Sequence, residues 1–179
     1  LLTPSARSLL TEKGVSILQH KEQKTANSTA SMKEYPEGYV TLFGAKLYEK
    51  PEFMTHLRGN ILVMKDHPKI KLRGALDSIE AELILVELPS KAEGKDKLLF
   101  DLEKIISHLR LLMRSEVGNT PLPEEKLLGL TEAEIRAQSH HPSQYFGIKH
   151  FLPTYEKGEM VARLNLLRTK ARETELLAF

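Results

Sequence analysis

Three runs of apolar residues at helical spacing constrain the fold of this chain more than any other feature. Leu72, Leu76, Ile79, Leu83 and Val86 recur at alternating intervals of three and four after Pro68. Leu98, Leu102, Ile105, Leu109 and Leu112 do the same between about Lys95 and Val117, and Met160, Leu164, Leu167 and Ala171 follow near the C-terminus. Such spacing lays a stripe along one side of an α-helix, and the stripe must be buried against others like it. The pattern predicts a mainly α fold, an up-and-down bundle of four or five helices. Pro89 is expected to end the first long helix and Gly118 the second, while Gly158 precedes the last. Thr131-Glu132-Ala133-Glu134 has the form of a capping box and predicts a short helix to about Ser139. The stripes carry no chemistry of their own.

Ahead of the bundle the pattern changes. Thr3-Pro4 suits a helix start, with a helix over Ser5 to Lys13 that ends at Gly14. Val15 to Leu18 reads as a strand, and residues 21–34 as a polar, unpatterned loop. A second extended piece, Gly38 to Tyr48, is rich in aromatic and β-branched residues and is expected to pair with the first strand. Residues 1–50 therefore read as a small α+β appendage, and residues 51–179 as the helical-bundle domain. The chain starts without Met and stops at Phe179 within what reads as a helix, so part of a longer protein is expected, with a further helix completing the bundle.

Composition narrows the function classes. With 41% hydrophobic and 28% charged residues the chain has the make-up of an ordinary globular domain. A net charge of only +2 gives no strongly basic surface, so nucleic acid is not an expected partner. The absence of cysteine removes disulfides and thiolate metal sites and leaves cytoplasm as the default compartment. No apolar run approaches the ~20 residues needed to span a bilayer, and no signal peptide is read at Leu1.

Chemistry is concentrated in the last stripe-bearing segment. Arg168, Arg172 and Glu175 stand at i, i+4 and i+7 and so share a face distinct from the apolar one. A solvated charged face is the ordinary reading of that spacing. Two always-charged guanidinium forks one turn apart can alternatively grip a polyphosphate.

The string Leu-Asn-Leu-Leu-Arg-Thr-Lys-Ala-Arg-Glu-Thr-Glu at 164–175 resembles the signature helix of the ethanolamine-utilization corrinoid (cobalamin) adenosyltransferases. It is more distantly similar to the propanediol-utilization type. Leu-Thr-Pro-Ser-Ala-Arg at 2–7, Lys-Pro-Glu-Phe-Met-Thr-His-Leu at 50–57 and Leu-Arg-Gly-Ala-Leu-Asp at 72–77 agree in the same order, as do Met113-Arg114 and the 139–153 region. The resemblance implies transfer of the 5′-deoxyadenosyl group of ATP to cob(I)alamin, with Mg2+ as the nucleotide's counter-ion. Cobalt in the +1 state is itself the nucleophile. The protein must then place C5′ in line, neutralise the leaving phosphates and exclude water.

By the same resemblance Arg168 and Arg172 match the family's nucleotide-binding arginines and Glu175 its acidic member. Asp77 matches an aspartate at the start of the first bundle helix, which implies an Asp77–Arg168 ion pair. Lys65 resembles a lysine that contacts ATP phosphates. Thr55 and His56 fit the ethanolamine type's Thr-His-Leu string as ATP contacts, with a helix cap or turn as the competing role. The phosphate loop departs from the propanediol type, since 55–60 offers a single glycine, Gly59. A Cys-Cys-x-x-Cys metal cluster found in some ethanolamine-type enzymes falls here on Tyr39, Val40 and Phe43, so no metal site is expected and apolar packing is expected in its place. His150 and Phe151 are the corrinoid candidates: His150 packs on the ring, ligates cobalt, or is a surface-loop histidine. The resemblance further implies a flavin reductase and ethanolamine ammonia-lyase as partners, a homo-oligomer (a trimer), and possible microcompartment association. The rival class is a non-catalytic corrinoid or nucleotide carrier, or a microcompartment adaptor, on the same bundle.

Overall fold

The computed structural model describes residues 37–178. The helix, strand and loop expected within residues 1–34, and any pairing of that strand, lie outside the described residues. Four short strands come first: β1 (Tyr39–Thr41), β2 (Lys46–Leu47), β3 (Met54–Arg58) and β4 (Ile61–Met64), in the sheet order β2-β1-β4-β3. β1 and β2 are antiparallel, as are β3 and β4, and β1 runs parallel to β4. The sheet thus joins residues on both sides of position 50. β3 and β4 were not expected from the sequence, although Gly59-Asn60 between two β-rich runs is a hairpin signal. Gly59 supplies the positive φ of the turn (+51°). Met54, Leu57, Leu62 and Val63 are buried. At Gly38, φ is +78° and an added Cβ would lie 2.7 Å from the Leu47 carbonyl oxygen, so only glycine fits.

The helices are α1 (Pro68–Ala92), α2 (Asp96–Gly118), α3 (Glu132–His140), α4 (Pro142–Phe146) and α5 (Glu159–Glu175), with a 3₁₀ turn at Tyr155–Lys157. Among the described residues, five helices beside one small sheet make the fold mainly α. The capping box forms as expected: Thr131 Oγ1 accepts from the Glu134 amide at 3.3 Å, and Glu134 accepts from the Thr131 amide at 2.8 Å. α2 ends at Gly118 with Asn119 in the left-handed region (φ 52°).

α1 does not stop at Pro89; it continues to Ala92. Proline has no amide hydrogen for the carbonyl four residues back, which here is Leu85. Arg163 Nη1 reaches that carbonyl at 3.5 Å from α5 and takes the missing donor's place. Proline in the last turn is tolerated where its lost bond is met from outside. α5 ends at Glu175, followed by tight turns from Leu177 to Thr174 and Ala178 to Glu175, rather than continuing as helix.

Ile79, Leu83 and Val86 of α1, Leu102 and Ile106 of α2, and Leu167 of α5 form the core, flanked by Leu98, Ile105, Leu109, Met160 and Leu164. Each fully buried aliphatic side chain contributes about 1.5–3 kcal/mol. Ion pairs Arg73–Glu116 and Glu80–Arg110 fix α1 and α2 as antiparallel. Ser90 Oγ beside Met160 Sδ (3.8 Å) and Arg163 beside Leu85 make α5 antiparallel to α1 as well. α5 therefore runs parallel to α2, whose 23 residues span about 35 Å, and residues 119–158 return the chain over that length. None of the residues in this return segment is buried. Among the described residues no helix is long and apolar enough to cross a membrane.

Candidate functional site

A cavity of about 640 Å³ opens where the N-terminal half of α1, the C-terminal end of α2 and the C-terminal end of α5 meet. Its walls are the ends of the three apolar stripes: Leu72, Leu76 and Ile79, then Leu109 and Leu112, then Ala171. Ala171 is too small to fill the space that the leucines leave, and the stripes run past the last full layer of core. Lys69, Glu116, Thr174 and Glu175 add polar groups to the lining. A mostly apolar concavity with a few convergent polar groups is the common form of a small-molecule site.

α5 brings Arg168, Arg172 and Glu175 to this end, and of the three only Glu175 lines the cavity. Both arginines are exposed, and Arg168 Nε donates to Asn165 Oδ1 at 3.1 Å. Asp77 is also exposed, and the expected Asp77–Arg168 ion pair is not formed among the described residues. The helix register gives one reason. Continuing from Ser90 beside Met160 and Leu85 beside Arg163 puts Asp77 level with Arg172 rather than Arg168. The other reason is energetic: with both ends in water, the pair would contribute little even if it closed.

The β3–β4 hairpin carries Thr55 and His56, both half-buried. His56 Nδ1 lies 3.0 Å from the Gly59 carbonyl oxygen, closing the turn, and its ring meets Tyr39 edge-on with centroids 5.6 Å apart. His56 therefore has the turn-closing role in this structure. Lys65, just past β4, is exposed and pairs with Glu52 at 2.9 Å. That hydrogen bond and the lysine's charge hold the Glu52 carboxyl below the usual carboxylate range. Tyr39 packs on His56 as described, but Phe43 is 97% exposed, contrary to the expected apolar packing. It stands in the tight Thr41–Ala45 turn between β1 and β2. His150 and Phe151 lie in the return segment before α5, both exposed. No hydrogen bond or ring contact joins them to Arg168, Arg172 or Glu175 among the described residues.

Two charged residues that sequence reasoning passed over sit at the junction of these parts. Arg73 of α1 pairs through Nε with Glu116 of α2, while its Nη2 donates to the Leu57 carbonyl at 2.8 Å and its Nη1 to the His56 carbonyl at 3.4 Å. The side chains of Arg73 and Glu116 are only 15% and 13% exposed. Lys69 Nζ lies 3.4 Å from the other Glu116 oxygen. Burial pushes the Glu116 carboxyl up, but Arg73 and then Lys69 outweigh it and leave it below the usual range. The only sequence signal for Arg73 was its place beside the stripe, between Leu72 and Gly74. Nothing in one sequence ties it to a residue 43 positions away.

Comparison with known proteins bears on this geometry. The family model for cobalamin adenosyltransferase matches residues 48–179. The corrinoid adenosyltransferase EutT of Salmonella typhimurium is 33% identical over 189 residues, covering 99% of this chain and 69% of that relative. The Escherichia coli protein of the same name is 31% identical with the same coverage. No solved structure matches.

Proposed function

The chain belongs to the cobalamin adenosyltransferase family and is an enzyme of adenosyl transfer to a corrinoid, and on that premise we propose that the α5 end of the bundle binds ATP for transfer to cob(I)alamin. In the reaction the cobalt(I) electron pair attacks C5′ and forms the Co–C bond. The C5′–O5′ bond breaks, and its electron pair leaves with the triphosphate. The protein supplies no nucleophile; it supplies position and charge. Arg168 and Arg172 offer guanidinium forks to the phosphates, and Lys65 a further cation. Thr55 and His56 present the β3–β4 turn to the same groups, and Asp77 orients an arginine. Glu175, on the cavity wall, faces the nucleoside side, and its carboxylate is of the donor type that Mg2+ accepts when carried in by the nucleotide.

The observation that carries this reading is the siting of Glu175 in an apolar cavity beside the arginine face of α5. On the corrinoid side, His150 and Phe151 meet the lower face of the ring. The return segment has apolar side chains free to cover such a ligand. By family likeness the product supplies an ammonia-lyase acting on ethanolamine. A flavin reductase delivers the electron, and a trimer in the cytoplasm, with or without a microcompartment, is the working assembly. Incubation with Mg-ATP and chemically reduced cobalamin tests the reading: adenosylcobalamin should appear with multiple turnovers. Binding of either substrate without product would favour a non-catalytic carrier.

A further inference from the structure

We propose that Arg73 is a positioning residue for the nucleotide, holding the β3–β4 turn on the bundle so that Thr55 and His56 meet the phosphates. This rests on the reading that the turn contacts ATP. The geometry is a three-way clamp. One guanidinium, 15% exposed, joins α2 through Glu116 and the hairpin through the carbonyls of His56 and Leu57, and is itself borne on α1. The two carbonyls belong to the residues immediately following Thr55, at the point where the β3–β4 register shifts between His56 and Arg58. A register shift releases backbone groups from the ladder, and Arg73 is the donor that takes them up.

The alternative holders of the turn are weaker. The hairpin's own closure, His56 Nδ1 to Gly59, fixes its tip but not its distance from the helices. Leu57 is buried and anchors the hairpin by packing, which resists separation but not sliding. Arg73 sets the sliding coordinate, because a planar fork has fixed donor directions. Arg73 does not touch substrate in this reading. It acts through the turn, so its loss should be felt in nucleotide affinity rather than across the whole reaction.

Arg73→Lys keeps a cation for Glu116 but cannot bridge two carbonyls as well. We expect it to raise KM for ATP about tenfold, well inside the loss that an ångström of misplacement can cause, with KM for cobalamin and Tm near the parent values. Thr55→Ala and His56→Ala are measured alongside. If they raise KM for ATP and Arg73→Lys does not, the turn reading stands and the Arg73 inference falls. If neither turn variant changes KM for ATP, the turn reading fails and takes the inference with it. A fall in kcat and Tm with both KM values unchanged would make Arg73 merely structural and overturn the proposal. Should Arg73→Lys fail to fold, Glu116→Gln releases the α2 arm of the clamp. A raised KM for ATP with KM for cobalamin unchanged then supports the proposal whatever the loss in Tm, and an unchanged KM for ATP overturns it.

Discussion

At the cavity end of the bundle, one side chain, Arg73, joins two helices and a hairpin, and Leu57 of that hairpin and Leu76 of α1 are buried. Between residues 119 and 158 no residue is buried, and Leu122, Leu128, Tyr145, Phe146, Ile148, Phe151, Leu152 and Tyr155 are all exposed. Both regions have regular structure, and the return segment even has a complete capping box. The difference is that one is tied by long-range hydrogen bonds and an ion pair, whereas the hydrogen bonds of the other are all local among the described residues. A concentration of exposed apolar side chains marks a surface built to meet something else. The proposed nucleotide groups thus stand on a framework fixed within one chain, while the corrinoid candidates stand on a segment in which no residue is fully buried.

Replacing core and return-segment residues should expose this contrast most strongly. Leu83→Ala, at a site 3% exposed, should cost about 2–5 kcal/mol in denaturant unfolding. Phe146→Ala, at a site 58% exposed, should stay within about 0.5 kcal/mol of the parent. A large loss from Phe146→Ala would show that the return segment is packed after all.

The next largest effect concerns chemistry rather than folding. Arg172→Ala should leave helix content and Tm unchanged, since the side chain is exposed and bears no ion pair among the described residues. It should cost about 2–4 kcal/mol of transition-state stabilisation, read as loss of kcat/KM with ATP. Near-parental kinetics would remove Arg172 from the site.

Legibility in the sequence follows the same divide. The three stripes located the long helices because burial on one face writes a period into the residues themselves. Leu76, Ile79, Leu83, Val86, Leu102 and Leu167 are buried as that period requires. The Pro89 ending failed because the donor that satisfies Leu85 comes from α5, 78 positions away. β3 and β4 went unread because five- and four-residue strands offer too little period. The charged face of Arg168, Arg172 and Glu175 was legible from spacing, and its assignment came from resemblance. The Arg73–Glu116 clamp was legible from neither, since a charge beside an apolar stripe usually points to water.

Acid should weaken the well-held end first. Glu116 has a folded pKa below that of an unfolded glutamate, about 4.3. Its contribution to stability is therefore complete above that value and is lost as pH falls through the lower folded value. At pH 7 Glu116→Gln should lose about 1.5–3 kcal/mol, the scale of a hydrogen bond to a charged group. The Tm difference between variant and parent should shrink as pH drops below about 4. A constant difference across pH would mean that the clamp works through shape and not charge.

The smallest expected effect tests the bundle away from the cavity. Glu87 of α1 is partly buried, has one carboxylate oxygen without a hydrogen-bond partner, and faces Glu103 of α2. Burial raises its pKa, Glu103 raises it further, and Arg110 only partly offsets them. The sign is opposite to that of Glu116. The folded state holds this proton more tightly than the unfolded one, so the group costs stability as pH rises past the unfolded value, and the full cost is present above the folded value. Glu87→Gln removes the like-charge contact and keeps the shape, and should raise Tm by about 2 °C at pH 7. That gain should vanish in acid, where the parent's Glu87 is protonated. If Tm falls instead, the orphaned oxygen has a partner that matters, and this part of α1 is held by more than its apolar stripe.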